Sequence, residues 1–261
     1  MDLATARHAF ITGGASGIGL GIADALAARG VPVTIADIDA DALAKMVATR
    51  GNAFRGAVLD TRDRDGWLRA KAEAEAAFGP VDVLVNNAGI APDGKLWSDP
   101  DPDSFERIIA INLIGIYNGV WAFAGDMRAR GRGHIVNTSS QAGISASMPG
   151  VGAYSVAKFG VTGMTENLRK EMAQFGVGVS CLCPGLVQTN LAINTAKISG
   201  VVRGENPQMP ASDVTAADVG RMVVRGIEAD APYIMTHKSA WTGQEKRFAQ
   251  IQEACSLADG T

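Results

Sequence analysis

The chain has 261 residues, 47% of them hydrophobic and 20% charged, with a formal net charge of -3. This is the composition of a globular protein with enough chain for one large core, and its mixed signs form neither a basic patch nor an acidic tail, so no nucleic-acid partner is expected. Apolar stretches are broken by glycine or charge before the roughly 18 residues that span a bilayer. The opening MDLATARHAFITGG has no signal-peptide profile. No membrane partner and a cytoplasmic location are therefore expected. Three cysteines, Cys181, Cys183 and Cys255, make no disulfide framework; the first two share one face of a strand as small buried hydrophobes, and no metal site is expected.

In chain order, a short apolar strand at 8–12 breaks into the glycine-rich TGGASGIG at 12–19, beyond which Ile18, Ile22, Ala25 and Leu26 recur at helical spacing. A strand, a glycine turn and a helix N-terminus together make an anion cradle, because unpaired N–H groups and the positive end of the helix dipole converge there. Gly13, Ser16, Gly17, Ile18 and Gly19 are its candidate residues. The next strand, 31–36, ends at Asp37, 18 residues beyond Gly19. An acid at that place can accept hydrogen bonds from an adenosine ribose and would repel a ribose phosphate, which argues for NAD over NADP. Asp39 is read as the cap of the helix that follows.

A helix at 39–50 leads to a strand at 53–59 that ends at Asp60 and Thr61, and a further helix closes at Phe78-Gly79-Pro80. The strand at 81–85 then runs into Asn86-Asn87-Ala88-Gly89. This alternation predicts a doubly wound α/β fold, a parallel sheet with helices on both faces and ligands at the carboxyl ends of its strands. A Pro- and Asp-rich loop, 91–102, opens a long helix from about 104 to 128 with the polar Asn112 inside it. A strand at 134–138 delivers Ser139 and Ser140, and one at 177–182 ends in CPGLVQT. Residues 190–210 are polar and without a sustained period, which predicts an irregular loop acting as a substrate lid. A helix at 216–229, a strand at 233–236 and a helix at 241–254 complete the chain. With no repeat or linker, residues 1–261 read as a single dinucleotide-binding and catalytic domain.

The chemistry centres on TSSQAGISASMPGVGAYSVAKFG, residues 138–160. A helix from about 153 puts Tyr154 and Lys158 on one face, one turn apart. The ammonium should favour the phenolate and lower the tyrosine pKa toward neutrality, making the phenol a usable acid and base. Of the two serines, Ser140 is preferred as the partner, since Ser139 should point the opposite way along the strand.

Together, TGGASGIG at 12–19, Asp60, NNAG at 86–89, Asn112, Ser140, YSVAK at 154–158 and PGLVQT at 184–189 resemble the short-chain dehydrogenase/reductase family, over nearly the whole chain. The resemblance implies a Rossmann-like sheet of seven strands, usually in a homotetramer, acting on a small-molecule alcohol or ketone. It makes Tyr154 the acid/base, Lys158 the group that lowers its pKa and binds the nicotinamide ribose, Ser140 the partner of the substrate oxygen, and Asn112 the residue that positions a water of a proton relay. Pro184, Gly185, Val187 and Thr189 would hold the nicotinamide, Asp60 with Thr61 the adenine, and Asn87, Ala88 and Gly89 the adenine-ribose side. The separation of fourteen between Ser140 and Tyr154 is one more than the commonest family spacing, which places an extra residue in the loop 141–152. The terminal YIMTHKSAWTGQEKRF resembles members that oxidise bulky aryl secondary alcohols. Gln141, Met148, Leu186 and Leu191 are candidate pocket residues by position. The leading expectation is an NAD-dependent alcohol dehydrogenase; the alternatives are an NADPH-dependent carbonyl reductase and a non-catalytic NAD-binding sensor.

Overall fold

The computed structural model describes residues 1–146, 148–189, 191–199 and 212–257. Among them, seven strands, β1 (Ala9–Thr12), β2 (Val33–Asp37), β3 (Phe54–Val58), β4 (Val83–Asn86), β5 (Gly133–Thr138), β6 (Val177–Cys183) and β7 (Tyr233–Met235), form one sheet in the order β3-β2-β1-β4-β5-β6-β7. Every neighbouring pair is parallel. The connections are α1 (Gly17–Ala27), α2 (Ala40–Ala48), α3 (Arg64–Phe78), α4 (Pro102–Ile109), α5 (Gly115–Arg130), α6 (Gly152–Ala173), α7 (Leu191–Ser199) and α8 (Ala216–Glu228), with α9 (Ala240–Ser256) after β7. The order reverses direction between β1 and β4, and ligands of such sheets bind at the carboxyl ends beside that switch.

Alternation along the strands feeds two cores. Ala9, Ile11, Val83, Val85 and Val136 face one side, with Ile22 and Leu26 of α1 and Val219, Val223 and Ile227 of α8. Phe10, Leu84 and Ile135 face the other, with Trp67 of α3, Phe123 and Met127 of α5 and Met172 of α6. Phe10, Trp67 and Phe123 meet there with ring centroids 5.1–6.2 Å apart. On the first side α1 and α8 touch backbone to backbone, since a Cβ on Gly21 would strike the carbonyl of Ala216 and one on Gly220 the carbonyl of Gly21. A third cluster, Ile90, Ile108, Ile111, Ala153 and Ala157, joins α4 to α6 at the carboxyl end of the sheet, and Tyr154 packs against it.

The expected helix at 104–128 is a continuous helical run from Pro102 to Arg130 interrupted by a π turn, Ala110–Ile114. By length and composition this run could cross a membrane, contrary to the reading of interrupted apolar stretches, but half of its apolar window is buried within the protein. The irregular lid expected at 190–210 is corrected in part. Leu191–Ser199 is helical, its apolar residues largely on the surface (Ile193 is 62% exposed), so no core-facing stripe marked it in the sequence. Asn190 and 200–210 lie outside the described residues.

Candidate active site

The first part of the site is a cradle. β1 ends at Thr12, and Gly13 (φ 62°) and Gly17 (φ 54°) adopt the left-handed backbone that turns the chain into α1. A Cβ on Gly19 would strike the carbonyl of Gly13, and one on Gly13 would lie 2.9 Å from the Cα of Ala88. Glycine therefore brings the turn against the end of β4. Ser16 stands at the N-cap of α1 without making a capping bond, leaving the first N–H groups of the helix toward the cleft. Asp37, at the end of β2, accepts from Ala15 N and Asp39 N, both at 3.1 Å, and so ties the turn to its neighbouring strand. Asp39 caps α2 by accepting from Ala42 N at 3.0 Å; that bond, then Lys197, holds its carboxyl below the usual range.

The other strand ends are tied inward in the same way. Asn87 donates from its amide to Thr12 O at 3.0 Å and from its backbone to Thr12 Oγ1 at 2.9 Å, and Ala88 N donates to the same hydroxyl at 3.1 Å. Asp60 is paired with Arg62, which holds its carboxyl below the usual range. Thr61 is buried, and its carbonyl accepts from Trp67 Nε1 and Asn118 Nδ2. Across the cleft, Thr189 packs on Gly17, its Cβ 3.3 Å from where a side chain would begin there.

The second part comes from β5, α6 and the π turn. Asn112 is fully buried; its Oδ1 accepts from Ile90 N at 2.8 Å and its Nδ2 donates to Ile90 O at 2.9 Å, a two-bond clasp between the π turn and the end of β4. A Cβ on Gly89 would lie 3.1 Å from Asn112 Oδ1 and 3.8 Å from Lys158 Nζ, so the three residues share one corner. Lys158 is 3% exposed and donates to Thr138 O at 2.8 Å, with its ammonium 5.6 Å from the Tyr154 ring centroid. Ser139 does point away: its hydroxyl donates to Lys158 O at 2.8 Å and bonds Thr162, fastening β5 to α6. Ser140 instead lies on extended backbone, accepts from Ala142 N at 3.1 Å and is the hydrogen-bonding neighbour of the Tyr154 hydroxyl.

The expected lowering of the tyrosine pKa is not what the protein alone produces. Desolvation pushes the Tyr154 phenol up, and the Ser140 hydrogen bond only partly opposes it. Desolvation also pushes Lys158 down, to about 8. Both groups sit where water is scarce, and burial disfavours the charged form of each more strongly than the pair's geometry favours it.

The third part closes over the cleft. α7 is bonded to the cradle by Asn194 Nδ2 to Ser16 Oγ at 3.1 Å, to the end of β4 by Ala91 N to Thr195 Oγ1 at 2.8 Å, and to Asp39 by Lys197 at 3.3 Å. Pro184 is buried, Val187 packs on the first core, and Leu186 and Leu191 are 45% and 38% exposed on the rim. Met148, 70% exposed, stands out in solvent on its loop. Gln141 lies inside, its backbone N–H bonded to Pro184 O at 2.9 Å. The sequence reading missed Asn194 and Thr195, concealed in the expected irregular loop, and Trp97, whose indole covers Gly152 at the start of α6. It also missed Thr236 and His237, which β7 carries to the Pro184-Gly185 turn. The segment around His237 was singled out only as a resemblance.

Away from this cleft, a cavity of about 410 Å³ at the amino ends of β5 and β6 is lined by His134, Arg169 and Asp230, among others. His134 Nε2 bonds Ser180 Oγ at 2.8 Å, and burial pushes its pKa down to about 4.

A glycine cradle at the switch of a parallel sheet, facing a buried lysine with a half-buried tyrosine and serine, defines an oxidoreductase of the dinucleotide-dependent α/β class. The short chain dehydrogenase family model matches residues 7–198, and the chain belongs to that family. It is 35% identical over 259 residues to the C alpha-dehydrogenase of Sphingobium sp. (strain NBRC 103272 / SYK-6), covering 93% of this chain and 84% of that protein. It is 36% identical over 217 residues to the oxidoreductase UcpA of Escherichia coli (strain K12), with 82% and 80% covered. A short-chain dehydrogenase/reductase from Burkholderia phymatum, solved in complex with NAD, superposes with a TM-score of 0.88 at 29% identity over 97% of each chain. The apo form of LigO from Sphingobium sp. strain SYK-6 gives a TM-score of 0.85 at 31% identity over 99% of this chain and 93% of that one.

Proposed function

We propose that the protein is an NAD-dependent dehydrogenase that interconverts a secondary alcohol and its ketone, with Tyr154 as general acid/base and Asn112, Ser140 and Lys158 as its partners. The observation that carries this reading is the convergence of Ser140, Tyr154 and the buried Lys158 opposite the Gly13–Gly19 cradle. The residues fit the cofactor: glycines at 13, 17 and 19 let the turn pack tightly at the N-terminus of α1, whose first N–H groups Ser16 leaves uncapped for a pyrophosphate, and Asp37 stands where an adenosine ribose would need an acceptor. Asp60, Thr61 and residues 87–89 would flank the adenosine, and residues 184–189 the nicotinamide. Bound NAD supplies the hydride acceptor and a positive charge beside the phenol. The B. phymatum neighbour solved with NAD supports this choice of cofactor, and the C alpha-dehydrogenase relative supports a dehydrogenase; the exposed apolar Leu186 and Leu191 favour a hydrophobic or aryl alcohol.

In the oxidising direction, Tyr154 as phenolate takes the proton of the substrate hydroxyl while Ser140 donates to the same oxygen. In reverse, the Tyr154 phenol protonates the nascent alkoxide. Lys158 holds positive charge next to the ring and, through Thr138 O, stays fixed to β5. Because burial raises the phenol's pKa, its ionised fraction grows with pH. Oxidation is expected to accelerate toward alkaline pH and reduction to slow. Exposed Tyr117 and Trp121 on α5 and Phe248 and Ile251 on α9 support self-association, which we propose as a homotetramer. A screen of aryl, cyclic and aliphatic secondary alcohols, followed by NADH formation at alkaline pH, tests the reading. No turnover across the panel would point to a non-catalytic NAD-binding protein, and a strong preference for NADPH over NADH in binding would overturn the role of Asp37.

A further inference from the structure

One corner of the cleft is polar in a way that proton transfer at Tyr154 does not use. The side-chain Nε2 of Gln141, the residue after Ser140, is enclosed and makes no hydrogen bond among the described residues. His237 arrives from the other end of the chain. The Thr236 hydroxyl oxygen accepts from Gly185 N at 3.0 Å and shares a 2.7 Å hydrogen bond with His237 Nδ1, which fixes the ring against the Pro184-Gly185 turn. The two side chains converge on that turn: a Cβ at position 185 would lie 2.6 Å from His237 Nδ1 and 2.7 Å from Gln141 Nε2. Only glycine leaves room for both.

Leu186, next to Gly185 in the chain, is 45% exposed and adds an apolar side chain beside the turn. An enclosed amide N–H without an acceptor is unfavourable, and a ligand oxygen placed there would relieve it. We propose that Gln141 and His237 form a specificity subsite that binds a second oxygen of the substrate, distinct from the reacting hydroxyl. The preferred substrates are then hydrophobic secondary alcohols that also carry an ether, hydroxyl or carbonyl oxygen. The subsite rests on the reading of this cleft as a dehydrogenase site.

The test uses pairs of 1-arylethanols that differ only in a methoxy or an ethyl group at the ortho, meta or para position. At one ring position the methoxy member should be favoured in kcat/KM by roughly ten- to a hundredfold, and Gln141→Leu should bring that ratio near one. His237→Phe should shrink it as well, and Gln141→Met serves if the leucine variant does not fold. Equal kcat/KM at all three positions overturns the subsite. So does a preference that survives both substitutions, or an effect of Gln141→Leu confined to the KM for NAD, which would assign the amide to the cofactor. Calorimetric binding of the paired ketones to the NADH-loaded protein reads the same preference without turnover. Binding with the preference but no oxidation sinks the dehydrogenase reading alone; oxidation without the preference sinks the subsite alone.

Discussion

The two halves of the sheet solve different problems. In the half formed by β3, β2, β1 and β4, most polar groups at the strand ends bond one another, Asp37 to the glycine turn, Asn87 to Thr12 and Asp60 to Arg62, with Asn86 Oδ1 left without a partner among the described residues. What that half presents is shape, backbone N–H and the carboxylate of Asp37 at the end of β2. In the half formed by β5, β6 and β7 the site groups are held short of satisfaction, with a lysine buried at a pKa of about 8, a phenol raised by desolvation and an amide N–H without a partner. A cradle for a rigid cofactor works best when its own bonds are closed. A site that moves a proton and selects a substrate needs groups whose best partner arrives with the ligand.

Substitutions should therefore fail differently in the two halves. Tyr154→Phe, in the reactive half, should lower kcat by roughly a thousandfold in steady-state assays while the melting temperature holds, because on the proposed mechanism it removes the proton path and only one hydroxyl. In the cradle half the penalty should fall on the fold. Gly220→Val drives a side chain into the backbone of α1 and should destabilise by about 3 kcal/mol in urea unfolding. His134, in the reactive half but at the opposite edge, gives a pH signature. Its pKa is about 4 in the folded chain against an ordinary 6.5, so the unfolded state takes up the proton first and stability is lost as pH falls below 6.5. Between pH 7 and 4.5 that loss should be about 2–3 kcal/mol, with His8, also lowered by burial, acting in the same direction. His134→Gln should flatten the dependence in urea titrations at the two pH values. The smallest effect is expected from Asp37→Ala, which should raise the KM for NAD about tenfold and narrow its advantage over NADP with little change in kcat. A large fall in kcat there would erase the division between the halves.

Most of the sheet was legible because parallel strands buried on both faces leave compact apolar runs, as in VDVLV before Asn86. The cradle and the Tyr154–Lys158 pair were legible because each is local in sequence. What could not be read depends on distant partners. The helix α7 carries its apolar residues on the surface and takes its place from bonds to Ser16 and Ala91. His237 is a single residue whose position follows from where β7 joins the sheet. The direction of the Tyr154 pKa was misread because spacing reveals a neighbouring charge but not how much water burial removes.

The π turn at Ala110–Ile114 carries a consequence for the whole rod from Pro102 to Arg130. It adds one residue to a helical turn, so the two arms are out of phase, and each keeps its own rotation toward a different neighbour: α4 toward α6, and α5 toward the sheet. Winding the same residues as regular α-helix would rotate one arm against the other by about 100°. Either Asn112 would leave Ile90 or Phe123 and Met127 would leave the core. The irregularity is thus a gearing between the site and the hydrophobic interior, and neither can be reset without the other.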